Sequence, residues 1–291
     1  MMWKAILGTL ALIAAPAVVH AERLIACGSN EVRVYDTEAA APLWTWRASD
    51  EHGLPQAFRE GLLTKIDECK PVLDGRAILV TASTGGVALI ERATGRARFW
   101  AQAPQAHSAE MLPNGRLVVA AAIAPESNRL IVFDVATPER EVFSTPLPSA
   151  HGVVWDETRK LLFADGFSEL RSYALADWSS AQPSLRAVAA WALPGKSGHD
   201  LSPLPGGQDL VVTTDDSVWA FSRDAGTFAP YAPLAGRRNV KAVAVSPLTG
   251  RIATQEPTEQ WWSHAVRLRG PDGDLPTPGI NLYKVRWDAP R

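Results

Sequence analysis

The sequence predicts an all-β fold, a six-bladed β-propeller, and three observations carry that prediction. First, one motif recurs. His107-Ser-Ala-Glu-Met-Leu-Pro-Asn-Gly-Arg, His151-Gly-Val-Val-Trp-Asp-Glu-Thr-Arg-Lys and His199-Asp-Leu-Ser-Pro-Leu-Pro-Gly-Gly-Gln each place a histidine at the head of an apolar strand, then a turn, then a second apolar strand. Second, these histidines lie 44 and 48 residues apart, the length of one blade. Third, the two ends of the sequence complement each other. Tyr283-Lys-Val-Arg-Trp-Asp reads against His151-Gly-Val-Val-Trp-Asp as an inner strand alone, whereas Leu24-Ile-Ala-Cys, Val32-Arg-Val-Tyr and Leu43-Trp-Thr-Trp read as the three outer strands of a blade without an inner one. A composite blade joining them closes the ring and removes the exposed sheet edges.

In chain order, residues 1–21 read as an export signal, with Lys4 as the charged region, Ala5 to Val19 as the apolar region and Val19-His20-Ala21 as the cleavage site. The mature chain, 22–291, is then one propeller domain, expected in the periplasm or outside the cell. No later stretch is long enough for a membrane span. Arg47 to Thr64 is long for a connection between blades, and loops of that length are often functional.

The next repeat opens on Asp67-Glu-Cys-Lys-Pro-Val-Leu-Asp-Gly-Arg, which matches the His107 stretch with Asp67 in the histidine's place. Ala77-Ile-Leu-Val-Thr-Ala, Val87-Ala-Leu-Ile and Arg98-Phe-Trp follow as short strands rich in branched and aromatic residues. The repeats headed by His107, His151 and His199 continue with Leu117-Val-Val-Ala, Leu161-Leu-Phe-Ala and Leu210-Val-Val-Thr. The copy at Val240-Lys-Ala-Val-Ala-Val sets Lys241 near the same position. It is the least regular, with Ile252-Ala-Thr, Trp261-Trp-Ser and Ala265-Val-Arg-Leu as its strands. Arg269 to Gly279 reads as a connection to the closing strand. Most of the eleven tryptophans are expected in the wedges between blades, Trp261-Trp262 included, and Asp215-Asp216 is expected in a turn.

A net charge of −2 with 21% charged residues gives no basic stripe to neutralise phosphates, so nucleic acid is not an expected partner. Cys27 and Cys69 are the only cysteines. In an oxidising compartment they are expected to pair, the alternative being two buried free thiols. The chain has no Gly-rich phosphate loop, HExxH or G-x-S-x-G element.

Several stretches carry a family resemblance: Cys69-Lys-Pro with Asp74-Gly75, His107-Ser-Ala-Glu, Ala150-His151-Gly-Val-Val-Trp-Asp, Gly198-His199-Asp-Leu, Trp261-Trp262 and Tyr283-Lys-Val-Arg-Trp. With these the chain resembles an uncharacterised family of secreted bacterial six-bladed propellers, over nearly all of its mature length. That resemblance implies the fold and no activity. A more distant similarity, of arrangement only, runs to propeller-fold oligogalacturonate lyases, which hold a divalent metal with a histidine cluster at the channel mouth.

In a closed propeller the heads of the inner strands converge at one mouth of the tunnel. That ring is expected to hold Asp67, His107, His151, His199, Lys241 and Tyr283, with Glu68, Lys70, Glu110, Asp200, Lys284 and Arg286 nearby. Polar groups converging in a concavity mark a binding site. The plainer alternative is a repeat that favours a polar residue there to bond a neighbouring blade's backbone. Neutral imidazoles of His107, His151 and His199 suit Zn or Mn, whereas the lysines and arginine suit an anionic ligand instead.

The expected function is binding or processing of an anionic or sugar-like small molecule, such as an oligosaccharide, by a monomer. Lys70, Lys241 and Arg286 would hold the acid group, Asp67, Asp200 and Lys284 completing the binding set. One of His107, His151 or His199 would abstract a proton and Tyr283 or another histidine return it, as in a lyase. A hydrolase using Glu110 or Asp67 is a variant. A propeller that binds a ligand or protein without catalysis is the rival reading, favoured if Arg47–Thr64 covers the mouth.

Overall fold

The computed structural model describes residues 22–39 and 41–289; the expected export signal lies outside the described residues. Six four-stranded antiparallel sheets surround a central tunnel. Blade 1 is the composite: Leu282–Trp287 is innermost, followed outward by Arg23–Gly28, Glu31–Asp36 and Pro42–Arg47. The inner strands of blades 2 to 6 are Ile66–Val72, Ala106–Leu112, Gly152–Asp156, Asp200–Pro203 and Ala242–Val245. Each inner strand packs on the next around the ring, and the last packs on Leu282–Trp287.

Closure is reinforced at both ends of the composite blade. Leu24 pairs with Trp287 and Ile25 with Arg286 in antiparallel register. Asp288, just past the closing strand, accepts two hydrogen bonds from Arg92 of blade 2, at 2.6 and 2.8 Å. The Cys27–Cys69 disulfide is formed and fully buried, tying blade 1 to blade 2.

The core is divided as the repeat demands. Each of six apolar clusters among the described residues fills the wedge between two consecutive blades, and the sixth joins blade 6 to blade 1 through Ala242, Val266, Leu24 and Val285. Trp46, Trp178 and Trp287 are buried in these wedges, while Trp44, Trp100, Trp155 and Trp191 pack against them half-buried. Strand sequences alternate because one face meets each neighbour.

Two local expectations are corrected. Blade 6 takes its fourth strand from Gly273–Pro276, inside the stretch read as a connection, while Trp261-Trp262-Ser263 makes only isolated bridges. Gly-Asp-Leu-Pro has no strand propensity of its own. Pairing of Leu275 with Val266, and burial of its side chain, impose the conformation. The 47–64 stretch meets the tunnel mouth at its end, where Thr64 lines the cavity. It forms a short 3-10 turn at Ala48–Asp50 and a π-helical turn at Phe58–Leu62, and it buries Leu54, Phe58 and Leu63 in the wedge between blades 1 and 2.

Candidate functional site

The six ring residues reach their places by two backbone devices. In blades 1, 2 and 3 the inner strand carries a β-bulge, and the extra residue is the ring residue. Pairing passes from Leu282 to Lys284, from Ile66 to Glu68 and from Ala106 to Ser108, leaving Tyr283, Asp67 and His107 without cross-strand partners. A bulge re-aims a side chain, so two consecutive residues can serve the tunnel. In blades 4, 5 and 6 the ring residue stands just before the strand, its N–H bonded to the second strand: His151 to Asp165, His199 to Thr213 and Lys241 to Gln255, each at 3.0 Å. Gly152 keeps His151 in place, because a Cβ there would lie 2.4 Å from Asp165 Oδ1 and 2.5 Å from Leu201 Cβ.

All six line one cavity of about 640 Å³ at the tunnel mouth. Ser83 of a second-to-third-strand loop joins them, with Lys65, Ile123 and the indoles of Trp261 and Trp262 as walls. Trp261, expected in the core, is 60% exposed. The pair sits in the long connection between the second and third strands of blade 6, and that placement was the signal for its role.

The imidazoles touch. Ring centroids are 4.4 Å apart for His107–His151 and 5.5 Å for His151–His199, and Tyr283 stands edge-on to His107 at 6.3 Å. Nδ1 of His107 donates to the Gln105 carbonyl at 2.9 Å, and Nδ1 of His151 to the Ser149 carbonyl at 2.7 Å. In the neutral ring this assignment leaves each Nε2 as an acceptor. Asp67 Oδ2 lies 3.7 Å from His107 Nε2. His199 Nε2 lies between Lys241 Nζ at 2.6 Å and Asp215 Oδ1 at 2.7 Å. With an ammonium at Lys241 the nitrogen accepts; with an amine there it can carry hydrogen and donate to Asp215. Asp215, expected in a turn, is thus part of the site.

Burial removes charge from this floor. It holds His107 and His199 down to about 4 and His151 well below the usual imidazole range, with Lys241, Lys284 and the neighbouring histidines adding to the effect. Burial likewise pushes the Asp67 carboxyl and the Tyr283 phenol well above their ordinary values. It lowers Lys241 to about 8, against the pull of Asp215. Near neutrality the cavity floor therefore offers neutral imidazoles, a carboxyl that burial holds toward its protonated form, a phenol and one titrating amine.

Five expected site residues lie elsewhere. Lys70, Glu110, Asp200, Lys284 and Arg286 are packed below the cavity, at most 6% exposed, in a network that includes Glu68. Arg286 bonds both Glu68 and Asp200, Lys284 bonds Asp200 at 2.6 Å, and Lys70 meets Glu110 at 3.2 Å. Three cations face three carboxylates, so the assignment of Lys70 and Arg286 to a ligand's acid group, of Asp200 and Lys284 to its binding, and of Glu110 to catalysis is replaced by a neutral ionic plug.

A Zn or Mn site on His107, His151 and His199 does not fit either. Among the described residues no three His, Cys, Asp or Glu side chains converge as ligands. The Nε2 of His199 is already engaged by Lys241 and Asp215.

A family profile described as "Family of unknown function (DUF6528)" matches residues 13–290. The chain belongs to this family. No curated protein matches it. Among solved structures, the DUF6528 chain is similar to the β-propeller domain of Cps50 (Swd1) from Myceliophteria thermophila. The two share 15% identity and a TM-score of 0.58, over 91% of this chain and 86% of that one. A chain of a mitotic checkpoint complex is similar at 14% identity and TM-score 0.55, over 80% of this chain and 67% of that one. Identities this low show the fold alone. Among the described residues of the DUF6528 propeller, no helix is long and apolar enough to cross a membrane.

Proposed function

We propose that the mouth cavity binds a sugar-like acid and transfers protons on it, in a chain exported from the cytoplasm. The observation that carries this reading is the convergence of one polar side chain from each of six blades on a single cavity walled by Trp261 and Trp262. Neutral imidazole acceptors, a carboxyl donor and a phenol match the mixed donors and acceptors of sugar hydroxyls, and an exposed indole suits a pyranose face. Lys241 and the exposed Lys65 line the cavity, and their positive charge favours an acidic ligand.

In this reading Nε2 of His107 or His151 accepts a proton, and Asp67, 3.7 Å from His107 and favoured by burial in its protonated form, returns one. Tyr283 is the alternative donor. A hydrolytic variant keeps Asp67, since Glu110 is committed to Lys70. The low basicity of the buried histidines favours a second reading, in which the same cavity binds its ligand without chemistry.

The test is calorimetric titration with uronic and aldonic acids, together with a screen of uronic-acid oligosaccharides for an unsaturated chromophore, on the wild-type chain and His151→Ala. Binding and turnover lost in the variant support the lyase reading, and binding alone supports the second. A wild-type chain that neither binds nor converts any of them overturns both.

A further inference from the structure

We infer that Lys241 is a carbonyl-reactive amine that captures the aldehyde or ketone carbon of an open-chain sugar as an imine, with His199 as its proton shuttle. The inference rests on the mouth cavity being the ligand site. It adds a covalent step and a substrate feature, a free carbonyl, that the reading above does not require.

The geometry is that of an activated lysine. Lys241 is fixed at the head of its strand by the bond from its N–H to Gln255, its side chain is nearly buried, and it still lines the cavity. The groups facing it are His199 and Asp215 from blade 5, Lys284 from blade 1, and Trp261 from its own blade, the Nζ standing 5.6 Å from that ring. Desolvation and a neighbouring cation both favour the free amine, the form that attacks a carbonyl. Asp215 opposes them, 3.7 Å from Nζ, but the nearer contact is His199 Nε2 at 2.6 Å.

The step balances without a further reagent. The Nζ lone pair forms the C–N bond as the carbonyl π pair moves to oxygen. His199, with its own hydrogen on Nδ1, takes one amine proton at Nε2 and passes it to that oxygen. The nitrogen pair then expels the oxygen, with the second amine proton, as water, and a C=N bond remains. An open-chain uronic acid presents both an aldehyde for Lys241 and a carboxylate for Lys65 on the cavity wall.

The experiment treats the full chain with glycolaldehyde and sodium cyanoborohydride near pH 7.5, then locates the reduced adduct by peptide mass mapping. Lys241, at about 8, should be labelled at least about tenfold faster than exposed Lys196, because at that pH a good share of Lys241 is the free amine that attacks a carbonyl and His199 stands beside it. His199→Gln should slow labelling of Lys241 and leave Lys196 unchanged. Lys241→Arg should remove the fast adduct. Labelling of Lys241 no faster than Lys196 in the wild-type chain overturns the inference, whether or not the variants fold.

Calorimetry with galactonate, which has no aldehyde, separates the two readings. Galactonate binding without a fast adduct sinks the imine alone. A fast adduct without galactonate binding sustains the imine and removes the sugar-acid ligand.

Discussion

Arg286 and Asp200 meet in a two-point ion pair inside the tunnel, Nη1 to Oδ2 at 2.9 Å and Nη2 to Oδ1 at 2.6 Å, although their blades are not neighbours. The same guanidinium grips Glu68 of blade 2 at 3.0 and 2.7 Å. One side chain on the closing strand thus clasps three blades. A buried pair contributes little net stability against an apolar replacement, but removing one partner strands the other.

Arg286→Met should therefore cost about 3–5 kcal/mol, read from urea unfolding at pH 7. A cost below about 1 kcal/mol would contradict the clasp. The arginine holds the Glu68 and Asp200 carboxyls below their ordinary values. As pH falls the unfolded chain takes up protons first. Their contribution is complete above the ordinary carboxylate range and lost as pH drops through and below it.

His107 should make the protein acid-sensitive at a higher pH. Its folded value of about 4 lies below the unfolded imidazole value of about 6.5. Stability present above that unfolded value is lost progressively as pH falls toward the folded one. His107→Gln removes this loss, so the variant should gain roughly 2–3 kcal/mol on the wild type between pH 7 and pH 4. Parallel urea midpoints across that range would contradict the burial argument.

Cys27→Ser should destabilise the ring closure. The bond spans 42 residues of sequence, and the chain-entropy estimate for such a loop is about 4 kcal/mol. A fall of about 2–4 kcal/mol is expected, measured beside a reduced wild-type control. Equal stability with and without the bond would show that strand pairing alone closes the ring.

Gly152→Ala should displace His151. A Cβ has no room between Asp165 and Leu201, and overpacking of this kind costs about 1–3 kcal/mol. Ligand affinity should fall with it, measured by titration of whatever sugar acid binds the wild type. Unchanged affinity would remove His151 from the floor.

Trp261→Ala separates the wall from the core. A 60% exposed indole should leave stability within about 0.5 kcal/mol, while ligand affinity drops about tenfold or more through loss of the stacking face. A large stability loss would return Trp261 to the wedge.

The six-copy repeat, the composite blade and the ring of Asp67, His107, His151, His199, Lys241 and Tyr283 were legible in the sequence. Strand period, turn residues and blade length are local signals, and a closed ring brings equivalent positions together whatever the side chains are. The strand at Gly273–Pro276 was not legible, because its neighbour imposes it.

Only the tertiary structure decided what the charged residues do. Lys70, Lys284 and Arg286 read as a binding set because the sequence gives no depth along the tunnel, and one further turn of the pleat carries a side chain from cavity floor to ionic plug. The charge state of the floor was hidden for the same reason. Burial and cross-blade partners set it, and neither exists until the ring has closed.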